Sequence, residues 1–231
     1  MMRVLGIINA RGGSKGIPRK NVKTLSGRPL IEYTVKAGLG AKCIDRLIVS
    51  TEDDEIAMLS RELGADVPFM RPLELAGDDV RQIDAVLYAI KYLEDNEQER
   101  FDYIALLQPT SPLRISYDID SAFELLCQEN ADSVISFTTV DNYHPLHMYY
   151  MNGVAPLPVI NEERINKQRQ NLPEVFIVNG AIRIAKHDVV VNDKTFFSSS
   201  TVSYVMPRER SINLDEPFDW ELAEFLMAKI K

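Results

Sequence analysis

Arg11-Gly12-Gly13-Ser14-Lys15-Gly16 form one uninterrupted run, two residues after the apolar segment Val4-Leu5-Gly6-Ile7-Ile8. Glycine lets several backbone N–H groups converge on one oxyanion, and the neighbouring guanidinium and ammonium supply positive charge. That is chemistry for phosphate. The charge distribution agrees: residues 1–30 hold seven basic residues and no acidic one, while the whole chain carries −8, so the remainder carries −15 (−8 less +7). A cationic patch on an otherwise anionic chain reads as an anion site or as a basic structural turn. The loop is neither Gly-x4-Gly-Lys-Ser/Thr nor Gly-x-Gly-x-x-Gly, so it is not one of the two common nucleotide loops.

Two further segments carry polar groups at defined spacing. Gln108-Pro109-Thr110-Ser111-Pro112 follows a short apolar run. Its prolines force an ordered non-helical turn, which is either a plain connection or a rigid display of amide and hydroxyl groups for sugar hydroxyls. Ser211-Ile212-Asn213-Leu214-Asp215-Glu216-Pro217 is the other. Asp215 or Glu216 before Pro217 reads as a helix N-cap. Alternatively, in an extended segment the oxygens of residues 213 and 215 face one way and can share a hard cation. His144, His147 and His187 lack metal-ligand spacing, Phe196-Phe197 reads as core, and no Ser-His-Asp or Cys-His arrangement stands out.

The elements that must hold these segments alternate. Strands are predicted at 3–9, 46–50, 103–107, 133–140, 181–185 and 201–206, and helices at 29–40, 54–63, 80–93, 117–129 and 217–229. Alternation predicts a three-layer α/β/α domain over residues 1–231, with a mostly parallel sheet and ligands bound beyond the strands' carboxyl ends. Residues 142–172 break the rhythm. There Asn152-Gly153 predicts a type I′ hairpin with exposed apolar residues, an arm suited to pack on a second copy of the chain. The length of 231 residues supports one sizeable core, and the acidic balance argues against nucleic acid or an anionic membrane as partner. No apolar stretch nears the ~20 residues a membrane helix needs. No leader precedes the first strand, and Cys43 and Cys127 read as reduced core thiols, so the expected compartment is the cytosol.

The segments together resemble one family. Ile7-Ile8-Asn9-Ala10-Arg11-Gly12-Gly13-Ser14-Lys15-Gly16-Ile17-Pro18-Arg19-Lys20-Asn21 is similar to the signature of the acylneuraminate cytidylyltransferases. Leu107-Gln108-Pro109-Thr110-Ser111-Pro112-Leu113-Arg114 resembles their second motif; Arg71-Pro72 with Glu74-Leu75-Ala76, Asn179-Gly180-Ala181-Ile182 and Asn213-Leu214-Asp215 resemble the others. The resemblance implies a nucleotide-diphospho-sugar transferase-like fold and a Mg²⁺-dependent homodimer that joins CTP to a free nine-carbon 2-keto sugar acid. It implies Arg11, Lys15 and Lys20 around the phosphates, and Ala10, Gly12, Ser14, Asn21, Arg71 and Gln82 around the nucleotide. It further implies Gln108, Thr110, Ser111, Phe196, Phe197 and Arg169 (reaching across from the arm) at the sugar, with Asn213 and Asp215 at the metal.

Three departures from the family pattern bear on function. Asn213 stands where the family has the first Asp of Asp-x-Asp, Ile177 where an Arg is usual, and Arg183 where a Tyr is common. Positions 177 and 183 belong to the sugar half, so a legionaminic, pseudaminic or other nonulosonic acid fits the resemblance as well as N-acetylneuraminic acid does. An eight-carbon 2-keto acid as acceptor, or a catalytically silent nucleotide-binding subunit, are the rival readings.

Overall fold

The computed structural model of this chain describes residues 2–14, 16–140, 143–160 and 171–229. Lys15 and Arg169 lie outside the described residues. Six strands form the main sheet: β1 (Val4–Asn9), β4 (Arg46–Ser50), β5 (Tyr103–Leu107), β6 (Ser133–Thr139), β9 (Phe176–Lys186) and β10 (Thr201–Val205). Their order is β10-β6-β9-β5-β1-β4. A two-residue ribbon, β2 (Thr24–Leu25) with β3 (Arg28–Pro29), and a hairpin, β7 (Tyr149–Asn152) with β8 (Ala155–Pro158), stand apart.

Side chains alternate across the sheet, as a strand's period of two requires. Val4 and Ile8 of β1, with Tyr103, Ala105 and Leu107 of β5, face helices α1 (Leu30–Leu39), α2 (Asp54–Glu62) and α4 (Ser116–Gln128). Leu5, Ile7, Ile104 and Leu106 face α3 (Gln82–Tyr92) and α5 (His187–Asn192). The last helix, α6 (Pro217–Lys229), closes a smaller core, setting Trp220 and Ala223 against Ile17, Leu25 and Leu30. Asp53 caps α2 by accepting from the Ile56 N–H at 3.0 Å, and α3 runs into a single π turn, Leu93–Glu97. Cys43 and Cys127 are free, and burial pushes both thiols up.

The sheet is mixed rather than all parallel. β1 pairs in parallel with β4 and β5, and β10 with β6, but β9 runs antiparallel between β5 and β6. The cause lies in the excursion after β6. No crossover helix among its described residues carries the chain to the far edge, so β9 enters from the edge where β6 ends. The strand predicted at 181–185 is therefore eleven residues long. It carries an irregularity opposite Ser136: Ile135 pairs with Arg183 but Phe137 pairs with Val178. The extra residues on β9 are Asn179-Gly180-Ala181-Ile182. Ser136 repairs the broken ladder, donating to Asn179 Oδ1 at 2.6 Å and accepting from the Ile182 N–H at 2.8 Å.

The hairpin differs from expectation by one residue. Asn152 pairs with Ala155, so the turn is Gly153-Val154. Gly153 has φ +62° and Val154 is not among the positive-φ residues. That pattern matches a II′ turn, with glycine at the first central position, rather than I′.

Asp118 of α4 is fully buried and accepts from Arg210 Nη2 at 2.7 Å and from the Tyr204 hydroxyl at 3.2 Å. Burial and this carboxylate push the Tyr204 phenol up to about 12. The native state then holds that proton more tightly than the unfolded chain, so this contribution to stability is complete below about pH 10 and is lost as pH rises through about 12. Tyr204→Phe should flatten the alkaline arm of the stability–pH curve in that window. Superimposable wild-type and variant curves from urea unfolding between pH 9 and pH 12 would contradict it.

Candidate active site

The carboxyl ends of β1, β4 and β5 gather the predicted segments along one sheet edge. β1 delivers Asn9 and the glycine loop, pinned where the Ala10 N–H donates to Ser50 O at 3.0 Å. β4 delivers Thr51 and Glu52; the Arg71 N–H donates to Thr51 O at 2.8 Å and stitches the 65–79 loop to the same edge. β5 delivers the Gln108 turn, and the Leu214 N–H donates to Thr110 O at 2.8 Å, bringing in the 213–215 segment.

Three adjoining cavities open between these loops. The middle one, about 280 Å³, is lined by Arg11, Ser14, Lys20, Asn21, Thr110 and Asp215, among others. A second, about 220 Å³, shares Asn9, Arg11 and Gln82 with it and adds Arg71 and the segment from Leu75 to Arg81. A third, about 480 Å³, shares Gln108 with the middle one and is bounded by Thr138, the Asn179-Gly180 bulge, Arg183 and Asn213. A larger concavity, about 830 Å³, lies around Arg100, Tyr103 and His187 at the amino end of β5, away from every predicted motif.

The middle cavity brings Arg11 and Lys20 together. Arg11 Nη1 meets Asp78 Oδ1 at 2.6 Å, and Asn21 Nδ2 donates to Arg11 O at 2.8 Å, fixing the loop's exit. Lys20 Nζ donates to Leu214 O at 2.5 Å and stands 3.6 Å from Asp215 Oδ1, tying the glycine loop to the 213–215 segment. Asp53 and Glu55 hold the Arg19 guanidinium, which draws the Asp53 carboxyl below its ordinary range. A Cβ on Gly16 would overlap the carbonyl oxygen of Asp215, so loop and segment touch backbone to side-chain position. Gly16→Ala should therefore cut turnover by more than about tenfold, because a backbone oxygen cannot swing aside as a side chain can. Unchanged kcat, with the melting temperature as folding control, would show that the loop has another resting place.

The second cavity is built around one buried ion pair. Arg71 Nη2 bonds Glu52 Oε2 at 2.6 Å with both side chains largely buried, while Glu52 Oε1 accepts the Gly12 N–H at 2.6 Å. Glu52 therefore couples the glycine loop to Arg71. Beside Asp53 and Asp54, ahead of the helix at 54–63, it reads in sequence as part of a cap, which hides this role. Nor does the sequence assign a role to Asn9, which lines both cavities and whose buried Oδ1 has no partner among the described residues.

Gln82 and Gln108 stand where the cavities join. Gln108 Nε2 donates to Gln82 Oε1 at 3.0 Å, and Arg183 Nη1 donates to the same oxygen at 3.3 Å. With its oxygen so engaged, Gln82 has its NH₂ available to a ligand. Gly180 has φ +76°, and a Cβ there would sit 3.0 Å from Gln108 Oε1. Both the left-handed backbone and the close approach favour glycine.

The 213–215 segment decides between its two sequence readings in an unexpected way. Pro217 opens α6 as expected, but Asp219 does the capping, accepting from the Asp215 and Glu216 N–H groups at 2.9 and 2.8 Å. The Asp215 carboxylate is thereby left to face Asn213 Nδ2 and Lys20. Asn213 Oδ1 is buried with no partner. Among the described residues, no group of three or more His, Cys, Asp or Glu side chains could hold a metal ion.

The structure gathers Arg11, Ser14, Lys20, Asn21, Gln82, Gln108, Thr110 and Asp215 around the middle cavity, with Arg71 in the second and Asn213 in the third. Ala10 and Ser111 are fully buried behind the loops, and Gly12 spends its N–H on Glu52. Phe196 is packed in the core beside α3 and Phe197 is exposed; neither lines these cavities.

The fold has counterparts of known structure. CMP:2-keto-3-deoxy-manno-octonic acid synthetase in complex with CTP superposes with a TM-score of 0.72 over 99% of this chain and 100% of its own, at 15% identity. 4-Diphosphocytidyl-2C-methyl-D-erythritol synthase superposes at 0.65 over 98% of this chain and 99% of its own, at 13% identity. The fold is thus the three-layer α/β/α architecture of these two proteins. Residues 5–192 match the family model for cytidylyltransferases, and the chain belongs to that family. It is 33% identical to the CMP-N,N'-diacetyllegionaminic acid synthase of Legionella pneumophila over 98% of this chain and 97% of that one. It is 32% identical to the N-acylneuraminate cytidylyltransferase of Streptococcus agalactiae over 95% of this chain, and spans only about half of that relative's length (52%). Against the pseudaminic acid cytidylyltransferase of Campylobacter jejuni the identity is 29%, over 97% of this chain and 96% of the other.

Proposed function

We propose that this protein transfers CMP from CTP to the anomeric hydroxyl of a free nine-carbon 2-keto sugar acid. The anomeric oxygen attacks the α-phosphorus, the bond to the β-phosphate oxygen breaks, and pyrophosphate leaves as the hydroxyl gives up its proton. The observation that carries this reading is the chain of three cavities, with Arg11 and Lys20 brought together in the middle one. A triphosphate belongs there, between Arg11 and Lys20, where charge developing on the leaving group meets fixed donors. The cavity beyond Arg71 and Gln82 takes the cytidine, and the one beyond Gln108 takes the sugar. Lys15, implied at the phosphates, and Arg169, implied at the sugar, complete the reading.

Asn213 and Asp215 fit a divalent cation in one respect: the amide whose Nδ2 donates to the Asp215 carboxylate has an orphaned oxygen, and turning that amide would bring its Oδ1 beside the carboxylate. Turned to face each other, two oxygens would repel unless a cation lay between them. With one carboxylate in the pair, the remaining ligands would be phosphate oxygens and water. Mg²⁺ held there would neutralise charge on the transferring phosphate.

The exposed Tyr150, Met151 and Val154 of the β7–β8 hairpin support a homodimer built through the 142–172 arm. Among the described residues no helix is long and apolar enough to cross a membrane. The two thiols outside any disulfide, Cys43 and Cys127, support a cytosolic setting.

The test is pyrophosphate release from each of the four NTPs with a panel of acceptors: N-acetylneuraminic, N,N'-diacetyllegionaminic and pseudaminic acids, and an eight-carbon 2-keto acid. Release with CTP and a nine-carbon acid is expected. Exclusive use of the eight-carbon acid would move the chain to the rival acceptor class. CTP binding without turnover, restored by Asn213→Asp, would make it a silent binder.

A further inference from the structure

Arg183 is the only charged side chain among the described residues lining the 480 Å³ cavity. It rises from β9 opposite Leu106 and Ile135, both buried in the apolar core. Its hydrogen bond is to a neutral group, Gln82 Oε1, at 3.3 Å, and its Nε is buried without a partner. Arg71 and Arg114 also carry orphaned nitrogens, but Arg71 pairs with a carboxylate, Glu52, and Arg114 makes two carbonyl contacts, whereas Arg183 has one neutral contact. Burial lowers the Arg183 pKa, and no neighbouring carboxylate offsets it. A half-buried guanidinium with one weak neutral contact is costly, and an anionic ligand is what would compensate it. Its planar fork matches a carboxylate, which can accept two parallel N–H bonds.

We infer that Arg183 is the anion anchor of the acceptor pocket, binding the carboxylate of the sugar acid and so selecting 2-keto acids over neutral sugars. This rests on the acceptor reading above. The resembling family commonly has a neutral Tyr here, so the anchor distinguishes this chain from that pattern. The pocket floor supports the assignment: Thr138, Asn179, Gly180 and Asn213 contribute no positive charge, and the cations of the middle cavity lie beyond Gln108.

The experiment compares wild type, Arg183→Gln and Arg183→Lys. N,N'-Diacetyllegionaminic acid, N-acetylneuraminic acid and the C1 carboxamide of each are titrated into CTP-loaded protein by calorimetry, alongside turnover. Arg183→Gln should weaken binding of the preferred acid by about 10- to 100-fold and erase the preference for acid over amide. Arg183→Lys should recover part of that preference. CTP affinity, measured alone, should stay within about twofold, which also shows that the variants fold. An unchanged acid-to-amide ratio in Arg183→Gln overturns the anchor. So does a fall in CTP affinity as large as the fall in acid affinity, because Arg183 would then act by orienting Gln82. If wild type binds the acids but releases no pyrophosphate, the transferase reading fails while the anchor stands on the binding ratio. If neither acid nor amide binds wild type, the anchor fails whatever the turnover with other acceptors.

Discussion

Lys20→Ala should lower kcat by about 10²–10³-fold, the cost of removing one preorganised donor from a developing oxyanion. Its side chain is only 12% exposed, so its charge acts in a medium that screens it poorly. One donor is committed to Leu214 O at 2.5 Å, which aims the ammonium into the middle cavity, and two remain for phosphate oxygens. Asp215 Oδ1, at 3.6 Å, is too far to cap it. Because the same contact joins the glycine loop to the 213–215 segment, a thermal melt must accompany the kinetics. A modest shift in Tm with collapsed kcat is the expected pair of results. Near-normal kcat would remove Lys20 from the chemistry and leave it as a strut.

Arg114→Met should destabilise the protein by about 1–3 kcal/mol, chiefly from the Ala181 carbonyl left without this donor, since Gln108 O keeps Thr34 Oγ1 and the Ser111 N–H. Arg114 is 2% exposed, and burial draws its guanidinium down to about 10 despite the pull of Asp118. It donates to Gln108 O at 3.2 Å and to Ala181 O at 2.8 Å, so one side chain clamps the Gln108 turn to the bulge in β9. The readout is the urea midpoint at unchanged slope, with acceptor KM rising as the two walls of the third cavity come apart. Replacing a buried charge by a hydrophobe of similar volume is sometimes stabilising. A higher midpoint with unchanged KM would mean that the clamp is only a burden.

Short continuous apolar runs such as Val4-Leu5-Gly6-Ile7-Ile8, alternating with segments of helical period, made the layered fold legible, because a buried strand and a helix leave different patterns in one sequence. The glycine loop and the Gln108 turn were legible as chemistry because glycine and proline constrain backbone wherever they occur. Strand direction was not, since nothing in Phe176–Lys186 encodes which edge of the sheet it enters; that depends on where the preceding excursion lets go. The role of Glu52 was hidden because a carboxylate beside Asp53 and Asp54 reads as a cap, and its true partners, Gly12 and Arg71, are 40 and 19 residues away. The capping by Asp219 was equally invisible: Asp215 and Glu216 were nearer the helix start and chemically equivalent.

The inverted position of β9 also governs how the chain comes off the ribosome. β5 and β6 follow each other in sequence but are not neighbours, because a strand made later lies between them. Until residue 186 has emerged, both flanks of that slot present bare ladders of N–H and C=O groups to the cell. Assembly of the sheet is therefore a late, long-range event, slow by topology and exposed to association with other nascent copies. A polypeptide halted before Phe176 should sediment with insoluble material rather than persist as a smaller folded particle.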